Sequence, residues 1–161
     1  MTLENMNYIV QMAANLAVIA SLIFVVLQVR MGLRMMRDQA VRNHNEKSQS
    51  VSRAMFENPD LADLWARSST EGMGKLTDGE RVRFVNFYTY VLRVWEELFI
   101  QHRDGIMDMA VWKANMRILR DTRVMPGAQE VWAVRRHLFT PDFQAFYDTD
   151  LPGEEARPLY G

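Results

Sequence analysis

The chain has 161 residues, the length of one ordinary domain, and its net charge of −1 excludes bulk attraction to nucleic acid. It contains no cysteine, which excludes disulfides, thiolate metal sites and a cysteine nucleophile, and which fits a reducing compartment. With 48% apolar and 24% charged residues it is neither a disordered tail nor a uniformly apolar transporter, and its 12 methionines read as adaptable core filler.

Charge is distributed unevenly along the chain. Residues 1–29 carry only Glu4, residues 30–53 carry a local net of +4, and the remainder carries −4. Between Glu4 and Arg30 lie 25 uncharged residues. Tyr8 to Val29, with Leu22 and Phe24 inside it, would form a helix of about 33 Å, enough for a hydrocarbon core of about 30 Å. Tyr8 sits where an interfacial aromatic belongs. The polar interruptions are mild: Gln11, Asn15, Ser21 and Gln28. A cleaved signal peptide wants a basic leading region, which is lacking here before Arg30. The segment therefore predicts a membrane span in residues 1–29.

Arg30, Arg34, Arg37 and Arg42 follow within the zone where positive charge sets topology. They predict a cytoplasmic C-terminal side, an N-terminus outside, and contact with anionic lipid headgroups. Within the span, Ala13, Ala17 and Ser21 recur every four residues, a spacing that lets two helices approach closely.

Residues 30–57 predict a basic juxtamembrane helix, since no proline intervenes before Pro59. Its apolar stripe is thin (Leu33, Met36, Ala40, Val51, Met55) and its middle polar, so it is expected to lean on the following domain rather than form a coiled coil. Residues 58–148 predict a cytosolic helical domain. Asn58 and Pro59 read as cap and first position of a helix presenting Leu61, Leu64 and Trp65, and residues 68–75 as a loop. Thr77 and Glu80 form a capping-box pattern that opens a strongly apolar helix. Arg83, Arg93, Glu96 and Glu97 exclude that helix as a second span, because each central charge costs about 2.5–3.5 kcal/mol on insertion scales.

Gly105 ends the central helix. A further helix over 108–123 would place Met109, Trp112, Met116 and Leu119 on one face. Pro126 starts the next, with Val131, Trp132, Val134 and Leu138 expected inward. Thr140 caps a short helix anchored by Phe143 and Phe146, and residues 149–161 read as a loose acidic tail rich in proline and glycine. The fold class expected is all-α: an N-terminal transmembrane helix continuing into a small helical bundle.

Chemical motifs are scarce. His44, His102 and His137 lack a second histidine at ligand spacing, and there is no phosphate-binding glycine loop, nucleophile elbow or paired-histidine zinc motif. No cofactor or metal is expected. Arg93, Glu96, Glu97 and Gln101 form the best polar cluster, with Arg93 and Glu97 spaced to pair, as a structural register or a polar pocket. Phe87, Tyr88 and Tyr90 are surplus aromatics expected to face a partner.

Four stretches, SLIFVVLQVR, NPDLADLW, RVWEELFIQHRDGIMD and LFTPDFQAFYD, carry a resemblance over nearly the whole chain. It resembles a widespread family of uncharacterised bacterial single-pass membrane proteins, through Ser21, Leu22, Phe24, Val25, Gln28 and Arg30, through Asn58, Pro59, Leu61 and Trp65, through Arg93, Glu96, Gln101, Gly105 and Asp108, and through Pro141, Phe143 and Phe146. Val26 and Met31-Gly32 stand where relatives often carry glycine and Gln-Asn. The resemblance implies one N-terminal span and a cytosolic helical domain in the inner membrane, and no reaction. The expectation is a non-enzymatic accessory or assembly subunit whose partners are the bilayer and another membrane protein or itself. The rivals are a ligand-binding sensor with a pocket at Trp95, Arg93, Glu96 and Gln101, and a self-associating scaffold.

Overall fold

The computed structural model describes residues 3–149, with side chains from Asn5. The expected tail therefore lies outside the described residues, apart from Thr149. Six α-helices make up the regular structure among the described residues, with one short 3-10 turn and no strand. They are α1 (Leu3–Glu57), α2 (Pro59–Glu71), α3 (Asp78–Arg103), α4 (Met109–Arg123), α5 (Pro126–Arg135) and α6 (Pro141–Asp148).

The chain divides into two units, one up to Gln39 and one from Ala40. In the first, α1 is long and apolar enough to cross a membrane, and none of its most apolar 18-residue stretch is buried. No residue from Asn5 to Gln39 is buried.

In the second unit, the compact bundle begins at Ala40 rather than at Asn58. The last part of α1 packs on it through Ala40, Val41, Val51, Ala54 and Met55. The polar middle of this stripe is matched by polar partners. His44 Nε2 lies 2.9 Å from Asn115 Oδ1, Lys47 pairs with Glu97, and the Ser50 and Tyr90 hydroxyls lie 2.9 Å apart. As the contacts climb from Lys47 to Ser50 on α1, they descend from Glu97 to Tyr90 on α3, so the two run antiparallel. Asn115 donates its own amide to Val111 O at 2.9 Å, which turns its oxygen toward His44 and makes His44 Nε2 the donor.

The local signals at the helix ends operate as sterics and capping require. Asn58 accepts the Leu61 N–H at 3.2 Å. Thr77 and Glu80 form a complete reciprocal capping box, with Thr77 N–H donating to Glu80 at 2.9 Å. Gly105, at φ +70°, turns the chain out of α3. One boundary differs from expectation. Ser68, Ser69 and Thr70 belong to α2, because their hydroxyls donate back to Leu64 O, Trp65 O and Ala66 O at 2.6, 2.7 and 3.1 Å.

The core is aromatic. Trp65, Phe84 and Tyr88 pack at 5.7–6.1 Å between ring centroids, and Trp132, Phe139, Phe143 and Tyr147 form a second group. α2 and α5 approach closely over Gly127, where a Cβ would come within 2.7 Å of Ser68 O and 2.9 Å of the Phe84 ring. Two expectations fail here. Val134 and Leu138 are 54% and 40% exposed: Val134 sits on the solvent side of α5, and at Leu138 the chain has tightened into a 3-10 turn over Arg136–Leu138, so that Phe139 takes the inward place. Met109 is 53% exposed at the first turn of α4, while Met107 before it is buried.

Candidate functional site

The Arg93 cluster resolves into a set of ties between elements. α3 presents Arg93 and Glu96 one turn apart, and Arg93 Nη1 meets Glu96 Oε2 at 2.7 Å. Arg93 Nη2 donates to Leu138 O at 2.7 Å, and its guanidinium lies 4.6 Å from the Phe139 ring centre. The second oxygen of Glu96 accepts the Thr140 backbone N–H at 2.7 Å. Thr140 is the N-cap of α6, and its side chain makes no capping bond. The buried Glu96 carboxylate thus takes one cationic and one backbone donor, which compensates its desolvation.

The expected Arg93–Glu97 pair does not form. Arg93 is drawn toward the start of α6, whereas Glu97 faces the other way, to Lys47 of α1, and accepts Gln101 Nε2 at 3.3 Å. The four residues singled out from sequence therefore lie on two sides of α3. Arg93 and Glu96 hold the loop before α6, and Glu97, steadied by Gln101, meets α1.

The three aromatics expected at a partner surface separate as well. Tyr88 is fully buried and cannot face a partner. Its ring stacks on Phe84, and the desolvation of its hydroxyl in the core pushes its pKa well above the ordinary phenol value. Beside it, burial pushes Tyr147 up to about 12. Phe87 is half-buried, edge-on to Trp65 at 5.8 Å, and Tyr90 is exposed but engaged with Ser50.

A second set of ties fixes α6. Trp132 Nε1 donates to Asp148 at 2.7 Å, and Arg136 reaches the same carboxylate at 2.6 Å. The Arg136 guanidinium holds the Asp148 carboxyl below its usual range. Arg103 bridges to Asp142 at 2.9 Å. His102 lies flat on Trp112 with ring centres 4.0 Å apart, and partial burial lowers its pKa. His44 and Asn115 are the polar pair that sequence reasoning missed. The signal available was the regular spacing of Ala40, His44, Lys47, Val51 and Ala54, which is a bundle-facing stripe once polar residues are admitted to it.

In the first unit, Tyr8, Asn15, Leu22, Phe24 and Val29 are all exposed, as are Ala13, Ala17 and Ser21. Ser21 donates its hydroxyl back to Ala17 O at 2.8 Å. Arg30, Arg34 and Arg37 are exposed along α1, and Arg42 lies beyond them in the second unit. Among the described residues no three His, Asp or Glu side chains converge in a way that could hold a metal ion. Comparison with protein-family models, curated proteins and solved structures returned no match.

Proposed function

We propose that the chain is a non-enzymatic single-pass membrane protein of the bacterial inner membrane, serving as an accessory or assembly subunit on another membrane protein. One observation carries the reading: the apolar stretch of α1 is wholly exposed, whereas the core helix of a water-soluble fold is mostly buried. Arg30, Arg34 and Arg37 follow it directly, which supports a cytoplasmic bundle and an outward N-terminus. The bundle's best polar cluster is engaged in holding helices together, which favours a docking module over a reaction centre.

Purification of the tagged chain in mild detergent, with mass spectrometry of what accompanies it, tests this role. A membrane protein of fixed stoichiometry is the expected result. A lone monomer at every concentration overturns it, and a homo-oligomer alone transfers the reading to the scaffold. Protease added to sealed, inside-out vesicles should digest the bundle; protection there would reverse the proposed orientation.

A further inference from the structure

We infer that residues 40–57, the part of α1 that belongs to the bundle, form a releasable strap, which lifts from α3 and α4 as a unit while α2 to α6 stay folded. The inference stands on the second unit alone and does not rest on α1 lying in a bilayer. The connected set of buried side chains that makes the hydrophobic core begins at Leu61. Within 40–57 only Ala40 and His44 are buried, and Val41, Val51, Ala54 and Met55 lie half-buried against that core rather than inside it. Phe56, the one aromatic ring of the segment besides His44, is 87% exposed. Opening along this line therefore uncovers little apolar surface. α6, much shorter, is anchored by the buried rings of Phe143 and Tyr147, a kind of anchor that 40–57 lacks. α2 and α5, closed on each other at Gly127, cannot part without exposing the aromatic core.

What seats the strap is polar, and its ties run in one direction. His44 Nε2 donates to Asn115 Oδ1, and Lys47 donates to Glu97. Asn115 and Gln101 have each committed their amide N–H to a neighbour one turn away, Val111 O and Glu97 Oε1, so each is left with its oxygen to offer. The bundle side of the contact is thus built of acceptors, and α1 supplies the donors. The Ser50 and Tyr90 hydroxyls close the exposed edge of the contact.

Ties of this kind are exchangeable. Lys47 and Glu97 are 42% and 36% exposed, so water can replace each partner at little cost, and Ser50 and Tyr90 can do the same. Buried apolar packing has no such substitute in water. Only the bond of His44 is sealed, which makes it the catch of the strap. Release bares Glu97 on α3 and Asn115 on α4 together, so the strap governs access to that face of the bundle.

Hydrogen–deuterium exchange of the full chain in mild detergent, read peptide by peptide, tests the opening. Amides of 45–57 should exchange together, about ten-fold or more faster than those of α3 between Phe84 and Leu98, yet more slowly than in an unprotected peptide. Lys47→Ala should speed 45–57 by up to about five-fold, and Asn115→Ala by about ten-fold, with α2, α5 and α6 unchanged. Added salt should act on 45–57 as Lys47→Ala does. Exchange of 45–57 in step with α3, no response to either variant, or variants that speed every helix alike would mean that α1 opens only with the whole bundle, and overturns the strap. Exchange of 45–57 at the unprotected rate would mean that it is not seated on the bundle, and overturns it too. A chain that needs no detergent contradicts the span but leaves the same measurement, made in buffer, with the same expected result, so the two failures are distinguishable.

Discussion

The buried carboxylate of Glu96, in the middle of α3, accepts the backbone N–H of Thr140, the residue that starts α6, at 2.7 Å. With Arg93 on its other oxygen, this one side chain connects the longest helix lying wholly in the bundle to the start of its last helix. Removing it leaves the Thr140 N–H without its acceptor and Arg93 without its ion pair. Glu96→Ala should therefore destabilise the bundle by about 2–3 kcal/mol, below the full cost of breaking a buried pair because Arg93 is half-exposed. Thermal unfolding followed by circular dichroism should show a fall in Tm of several degrees, and an unchanged Tm would refute the tie.

The contacts between α1 and the bundle should be unequal in strength. His44 is 5% exposed and bonded to Asn115, so His44→Ala should cost about 1–3 kcal/mol through the lost bond and the unpaired amide. Lys47 and Glu97 are 42% and 36% exposed, so Lys47→Ala should cost less than about 1 kcal/mol. Denaturant titration of both variants checks the order; a larger loss at Lys47 would reverse it.

Gly127 should resist the smallest possible addition. Alanine is the better helix former by about 1 kcal/mol. Here its methyl would meet Ser68 O at 2.7 Å and push α2 from α5, costing about 1–3 kcal/mol. Gly74→Ala, with nothing within 4 Å, should be close to neutral. Equal stabilities of the two variants would mean that α2 and α5 do not approach as described.

Tyr88 and Tyr147 predict alkaline behaviour. Burial raises both phenols above their ordinary value, Tyr147 to about 12. In the unfolded chain they would ionise near pH 10 (an ordinary value of about 10), so the stability they contribute is fully present below that pH. It is lost progressively as the pH rises through the folded values. Tyrosinate absorbance should show these two titrating only with the loss of helical signal. Their ionisation near pH 10 in a folded bundle would contradict their burial.

What the sequence reveals is mostly what local physics decides. The capping box at Thr77 and Glu80, the Asn58 cap with Pro59, and the long uncharged run before Arg30 are readable because neighbours a few residues apart determine them. Arg93 and Glu96 could be singled out, but not their real partners, since Leu138 and Thr140 reach them only when α5 and α6 fold back. Tyr88 looked like a surface aromatic because a helix covered on several sides has no clear polar face to rank its rings. The burial of His44 is not legible locally, because its imidazole is satisfied by Asn115, 71 residues away. Leu138 went outward because a 3-10 turn rotates the helical spacing, which the spacing itself does not announce.

The central claim is that the exposed apolar stretch of α1 lies in lipid, and alkaline carbonate extraction of membranes from cells expressing the full chain tests it most directly. The account predicts that the chain stays in the membrane pellet and leaves it only with detergent. Recovery of the chain in the carbonate supernatant as a folded, water-soluble protein would contradict it.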